Sequence, residues 1–520
     1  MSGKNVFNSV HVPKVGTSRF DLSHDVKLSL SMGNLVPINC MEVIPGDKFN
    51  IRSEVMLRFA PMVAPVMHRI NVFIHYFFVP NRLVWSNWQK FITDNEGKGN
   101  VPAPPMQRLE TPIAVGSLGD YMGLPTGVSN LRFSLIPFSA YQLIFNEYYR
   151  DQNLQSEVLY QLSDGQTTSG DNAILHMRRR AWMHDYFTAS LPFAQKGGAV
   201  SIPLGNFEDV PLQSVWNGSQ SVIRNSASGT PISGGASSVL RFDTPGGMTA
   251  NPGTGGSLNA YLDNSQQLIA KTSQLSEATA ATINDLRRAF RLQEWLEKMA
   301  RGGSRYIEQN LVHFGVRSSD ARLQRPEFIG GSKQPVIISE VLQTSESQET
   351  PQGSMAGHGI SASSGKTISY YAEEHGYLIG IMSVMPVTAY QQGIPRHFSR
   401  MSHLDYAWPT FAHIGEQAVL NKEIYADGTV DDEGTWGYVP RYSEYRYLDS
   451  RVAGAFRDTL SFWHLGRIFG SRPALNASFI ECNPRNDIFA VPSETQNLWS
   501  QVYNSVSVKR KLPKYGTPMM

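Results

Sequence analysis

Strict alternation of apolar and polar residues near the N-terminus constrains this chain more than any other feature. Val26, Leu28, Leu30 and Met32 take one side of the run; Asp25, Lys27, Ser29 and Ser31 take the other. A period of two residues belongs to an extended strand, so the run predicts a β-strand with one buried and one wet face. A second strand follows the turn Pro45-Gly46-Asp47 and sets Phe49, Ile51, Val55, Leu57 and Phe59 on one side. A third run, Ile70 to Val79, is rich in β-branched and aromatic residues and stops at Pro80. Val336–Leu342 and Tyr377–Val387 are further β-like runs.

Helices interrupt this framework. Pro137 opens one, with Tyr141, Phe145 and Tyr148 on one face. The longest runs from about Thr282 to Arg301, begins with a Thr282/Asp285 cap and stops at Gly302-Gly303. Its expected apolar stripe is Ile283, Leu286, Phe290 and Leu296. Strands spread along a long chain with helices in their connections predict a β-sandwich or jelly roll with large loops. Residues 218–275 differ: they are rich in Gly, Ser, Thr, Asn and Gln, with Phe242 and Tyr261 the only aromatics. Such a stretch does not fill a core by itself and is too long for an ordinary connection. A second polar, Gly-rich stretch covers 345–366.

Composition narrows the function classes. Charged residues make up 17% of the 520 residues and aromatics 11%. Few charges and many rings leave surface to bury, including against other copies of the chain. The net charge is only +2, but both ends are basic. Lys4, Lys14 and Arg19 precede any acid, and Lys509, Arg510, Lys511 and Lys514 follow the last one. The stretch 495–520 is therefore expected to be a basic C-terminal arm. On its own it is equally a solubilising tail or a phosphate-binding segment, with Tyr503 and Tyr515 able to stack on unpaired bases. Cys40 and Cys482 are the only cysteines, too few for a disulfide framework, which fits free thiols in a reducing cytoplasm. Neither a signal peptide nor an apolar run of about 18 residues is present, so synthesis in the cytosol without membrane insertion is expected.

The densest chemistry lies in residues 178–192: three arginines, then Trp182, His184, Asp185, Tyr186 and Phe187. Neighbouring side chains rarely form a base and its orienting acid, so His184-Asp185 is weighed as structural, with a buried, hydrogen-bonded histidine expected. Gly365-Lys366-Thr367 lacks the glycine spacing of a phosphate loop and fits a polar surface loop. Asp427, Asp431, Asp432 and Glu433 lack calcium-loop spacing and fit a solvated acidic loop. No catalytic residue, metal or cofactor is expected.

Longer words of the sequence carry a resemblance. Phe20-Asp21-Leu22-Ser23-His24-Asp25, His75-Tyr76-Phe77-Phe78-Val79-Pro80-Asn81-Arg82 and Phe145-Asn146-Glu147-Tyr148-Tyr149-Arg150-Asp151 are three. Trp182 with His184-Asp185-Tyr186-Phe187-Thr188, Arg317 to Glu327, and Phe456-Arg457-Asp458 with Phe462-Trp463-His464-Leu465 are others. In these the chain resembles the major capsid proteins of the microviruses, in their gokushovirus branch: small bacteriophages with circular single-stranded DNA. The resemblance covers nearly all of the chain outside 218–275.

It implies a mainly β fold, an eight-stranded viral jelly roll with long helix-containing and Gly/Ser-rich insertions, spanning 1–520 as one domain. It implies sixty copies in a T=1 icosahedral shell, with pentamers as intermediates, enclosing the single-stranded genome. Scaffolding and DNA pilot proteins and a host surface receptor are the implied partners, and assembly in the host bacterial cytoplasm the implied location. The stretch 218–275 looks like the family's variable surface insertion, with Arg224, Phe242, Asn251 and Tyr261 as candidate host contacts. Lys4, Lys14, Arg19, Lys509, Arg510, Lys511 and Lys514 are the candidate nucleic-acid contacts. The rival classes are a receptor-binding spike and a β-sandwich carbohydrate-active enzyme, which needs converging carboxylates.

Overall fold

A computed structural model describes residues 16–168, 172–198, 200, 283–342, 355–491 and 496–515, together with the backbone of six short strands between 212 and 270. The chain divides into two compact units: Met1–Gly197 with Leu296–Met520, and Gly198–Trp295.

The larger unit is built on two antiparallel sheets. Their strands are β1 (Ser18–Asp21), β2 (His24–Leu30), β3 (Val36–Val43), β4 (Lys48–Phe59) and β5 (Ile70–Pro80). After a long interval come β6 (Glu327–Pro335), β7 (Ile337–Leu342), β8 (Met355–Ser364), β9 (Ile368–Tyr371), β10 (Gly376–Pro386) and β11 (Leu498–Arg510). The first sheet has the order β1-β11-β4-β8-β7, with β2 also on β11 and β9 also on β4. The second has the order β6-β5-β10-β3. Inner faces of both sheets meet in one core, where Phe49, Ile51, Leu57, Val502 and Val508 from the first pack with Ile74, Phe78, Leu378, Met382 and Ile38 from the second.

The two sheets differ on their outer faces, and the sequence pattern records the difference. β5 and β10 are buried on both sides and read as nearly unbroken apolar runs. The outer face of their sheet, with Phe77, Val79, Ile379 and Ile381, packs under helix α1 (Ile136–Ile144) and its surroundings. β4 and β11 alternate buried and accessible residues along their length, because their sheet is packed on one side. The expected strand at 49–59 is therefore found, with its turn: Gly46 has φ +92° in the Pro45-Gly46-Asp47 corner.

Some expectations are corrected. The polar stretch 345–366 contains β8, because backbone pairing with β7 and β4 holds residues whose side chains carry no strand signal. Helix α2 (Ile283–Arg301) occurs where the periodicity predicts it, but of its expected stripe Ile283, Leu286 and Phe290 are exposed and only Leu296 is half-buried. Thr282 lies outside the described residues.

In the smaller unit, Ile223–Asn225, Leu258–Leu262, Gly247–Asn251 and Val239–Asp243 form a four-stranded antiparallel sheet in that order. Leu212–Ser214 pairs with Leu268–Ala270. The polar composition of 218–275 hid these strands, since backbone pairing needs no apolar alternation.

Candidate functional site

Residues 178–192 form a joint within the larger unit. The backbone of Arg178–Trp182 runs between two other segments. Leu35 N donates to Arg178 O at 3.0 Å and Arg180 N to Gly33 O at 2.7 Å; Trp182 N donates to Ile480 O at 2.8 Å and Cys482 N to Arg180 O at 2.9 Å. Each arginine then anchors a different neighbour. Arg178 Nε donates to Gln142 at 2.7 Å and Arg179 Nη1 to Asn483 at 2.9 Å. The Arg180 guanidinium lies 4.3 Å over Phe73, with Nη1 donating to Ser383.

The His-Asp pair splits at this joint. Asp185 is buried; its Oδ1 accepts from the backbone of Phe187 and Thr188, and its Oδ2 from the Tyr390 hydroxyl at 2.8 Å. His184 is exposed on the wall of a cleft of about 920 Å³, which corrects the expectation of a buried histidine. His75 lines the same cleft, and burial, with Arg180 nearby, pulls its pKa down to about 4, so its ring stays neutral at physiological pH. The carboxylate is committed to the fold, and no base–acid dyad results.

The acidic cluster is also structural. Arg472 Nη2 pairs with Asp427 at 2.8 Å and Asp432 at 2.7 Å, and Lys422 pairs with Glu433 at 2.6 Å. Asp432 is buried, which corrects the expectation of a solvated loop at that residue, while Asp427, Asp431 and Glu433 are exposed as expected. Among the described residues no group of three or more metal-ligating side chains occurs. Gly365-Lys366-Thr367 is the turn between β8 and β9, with Gly365 N donating to Ser53 O.

The candidate nucleic-acid residues fall into three groups. Lys4 and Lys14 lie outside the described residues. Arg19 in β1 stands opposite Lys509 in β11, which stands opposite Lys48 in β4. All three are exposed, so the sheet lines up a row of cations that like-charge repulsion disfavours unless an anion meets it. Arg510 does not belong with them. It donates to Asp47 from Nε and Nη2, and Asp47 is fully buried.

The expected arm at 495–520 is thus corrected over half its length: 498–510 is the longest strand among the described residues and pairs with β4 from Leu498–Phe59 to Lys509–Lys48. Its apolar side is core, which fixes it in place. Lys511 and Lys514 are exposed beyond its end. The candidate host contacts sit on strands of the smaller unit. Arg224 and Tyr261 are register partners, Phe242 pairs with Met248 and Asn251 with Val239; their side chains lie outside the described residues.

The outer face of the first sheet also carries residues that the sequence reading passed over. Trp499 is 47% exposed, with Arg58 opposite it on β4 and Lys27 nearby on β2. The signal was present: Trp499, Gln501 and Tyr503 alternate with Leu498, Ser500 and Val502, the pattern of a half-buried strand.

A family model described as "Capsid protein (F protein)" matches residues 8–520. The chain belongs to this capsid protein family. Capsid protein VP1 of Bdellovibrio phage phiMH2K is 37% identical to it over 99% of this chain and 98% of its own length. The corresponding values are 36%, 99% and 97% for capsid protein VP1 of Chlamydia phage 1, and 30%, 99% and 96% for that of Spiroplasma virus 4. The gokushovirus-like resemblance therefore holds along the whole chain. Membership gives the protein a structural role in the virion capsid, and neither the spike nor the enzyme reading gains support.

A capsid protein has to bury surface against other copies, and the stretch from Phe398 to Leu448 carries exposed apolar residues suited to that. Phe398, Met401, Leu404, Trp408 and Leu448 are exposed. In the same stretch Arg396 pairs with Glu423 at 2.8 Å, and Arg400 pairs with Glu444 at 3.3 Å while stacking on Tyr445. Partly buried ion pairs hold this stretch of backbone, so its exposed apolar residues are presented before any partner arrives. Among the described residues no helix is long and apolar enough to cross a membrane.

Proposed function

We propose that sixty copies of this chain form a T=1 icosahedral shell around a circular single-stranded DNA genome, through pentamers, with a jelly roll as the shell element. Strand order is the observation that carries the fold part. Taking β2, β3, β4, β5, β6, β8, β10 and β11 as strands one to eight, the sheets run one-eight-three-six and two-seven-four-five. That is the double Greek-key connectivity of a jelly roll, with helices and loops inserted between its fourth and fifth and its seventh and eighth strands. The exposed apolar residues Phe398, Met401, Leu404 and Trp408 support contacts between copies.

In this reading the row Arg19–Lys509–Lys48, with Lys511 and Lys514, faces the packaged phosphates. Scaffolding and DNA pilot proteins assist assembly in the host cytoplasm. The stretch 218–275 projects outward and meets the host receptor through Arg224, Phe242, Asn251 and Tyr261. Electron microscopy and size-exclusion of the expressed full chain test the assembly: pentamers and closed shells are expected, and a protein that stays monomeric at all concentrations overturns it. Exchanging 218–275 between related phages tests the host role, which unchanged host range would refute.

A further inference from the structure

Among the described residues the outer face of the first sheet is accessible, and its charges and rings are unevenly arranged. β11 runs through the interior of this sheet, between β1 and β2 on one side and β4 on the other. Such a position normally turns small or polar residues to water. β11 instead presents Trp499, 47% exposed, and Tyr503, 38% exposed, on the same side. The two rings differ in their neighbours. Tyr503 stands between Asp25 and Glu54, and Glu54 pairs with Arg52 at 2.7 Å. Trp499 stands beside Arg58, with Lys27 and Met56 diagonal to it, around a shallow hollow of about 430 Å³. Neither Arg58 nor Lys27 forms an ion pair among the described residues. Ten residues further along the strand, about 33 Å away, is the Arg19–Lys509–Lys48 row.

We propose that this open face binds single-stranded DNA directly, with Trp499 as the ring on which a base stacks and Arg58 and Lys27 as the cations that hold the neighbouring phosphates. The proposal rests on the reading of the chain as a genome-enclosing shell, and names the surface and the mode of contact. A flat strand face with an exposed indole suits unpaired bases, whose π-faces are free, and does not suit a duplex, whose bases are stacked on each other. Arg58 on β4 and Lys27 on β2 set a cation on either flank of the ring, one for each phosphate beside a stacked base. The contact is independent of base identity, as a shell that covers a whole genome requires. The Arg58 guanidinium and the Lys27 ammonium, neither in an ion pair among the described residues, are balanced by phosphates, which releases counterions and makes binding depend on salt.

The test uses the full-length protein and fluorescently labelled oligothymidylate, titrated at several salt concentrations. Trp499→Ser is expected to weaken binding by on the order of tenfold with an unchanged salt slope, and Trp499→Phe to restore most of the loss. Arg58→Gln is expected to reduce the log–log salt slope by about 0.7. A duplex of equal length should be insensitive to Trp499→Ser. Equal affinity of wild type and Trp499→Ser for oligothymidylate overturns the proposal. So does a Trp499→Ser chain that folds but no longer assembles without DNA, because the face is then a contact between copies. Wild-type particles that hold DNA while the wild-type chain ignores oligothymidylate also overturn it and leave the shell reading intact. Oligothymidylate binding that follows Trp499, with particles that never hold DNA, supports the surface and refutes the shell reading.

Discussion

Arg510 grips Asp47 with two nitrogens, Nε at 3.0 Å from both carboxylate oxygens and Nη2 at 2.7 Å from Oδ2. The grip ties the end of the last strand to the corner before β4, where Asp47 Oδ2 also accepts from Ile44 N. Because Asp47 is fully buried, removing its partner strands a charge in the core. Arg510→Ala should destabilise the chain by about 3–5 kcal/mol, measured by urea unfolding. A loss below about 1 kcal/mol would mean that the pair behaves as an exposed one. Deleting the chain from Lys509 onward would break this clasp as well as remove charge, so it does not isolate DNA contact. Lys511→Gln with Lys514→Gln removes charge alone.

The alternation at 49–59 made β4 legible, because each apolar residue it counted is a core residue. The same alternation runs through 498–508, but the four cations at 509–514 give this end of the chain the composition of a basic arm. Pairing explains the rest of the gap. β11 is held by β2 and β4, more than 400 residues away in sequence, and no local pattern announces such partners. β8 shows the limiting case, a Gly/Ser-rich segment made into a strand by the backbones on either side. For the site, the sequence revealed that 178–192 was dense in chemistry. That Asp185 turns inward and His184 outward depends on Tyr390, two hundred residues on.

Gly33 is where the joint is tightest. Its φ is +84°, and an added Cβ would lie 2.0 Å from the carbonyl oxygen of Cys482. Gly99 has a similar φ of +72° with nothing near. Gly99→Ala should therefore cost only backbone strain, about 1–3 kcal/mol. Gly33→Ala should lower the melting temperature distinctly further, since backbone at the joint has to move. Equal melting temperatures for the two variants would show that the joint is slack.

Asp449 makes stability depend on pH. Burial, and then the charge of Asp185, push its carboxyl up to about 7, against an ordinary value of 3.8. Its Oδ1 has no hydrogen-bond partner among the described residues. A raised pKa means that the folded chain favours the neutral form. The contribution is fully present below the unfolded value and is lost as pH rises through the folded one, near 7. Asp449→Asn keeps the shape without the charge. Its advantage in melting temperature over wild type should grow between about pH 5 and about pH 8, and an advantage that does not change with pH would refute this account.

Asn504 lies fully buried between the two sheets and holds one polar network in an apolar core. Its Nδ2 donates to Ile38 O at 3.0 Å, its Oδ1 accepts from Ser53, and Ser53 meets the hydroxyl of Tyr76. Four strands, β3, β4, β5 and β11, therefore share one chain of hydrogen bonds, which specifies how the sheets align as well as how strongly they adhere. Asn504→Leu leaves the other members short of partners and should cost about 1–3 kcal/mol in urea unfolding. Adding Ser53→Ala and Tyr76→Phe removes the stranded hydroxyls. The triple variant should then lose less than the sum of the three single losses, because polar groups that share a network fail together. Losses that simply add would mean that each bond acts alone and that the alignment of the sheets is set by apolar packing.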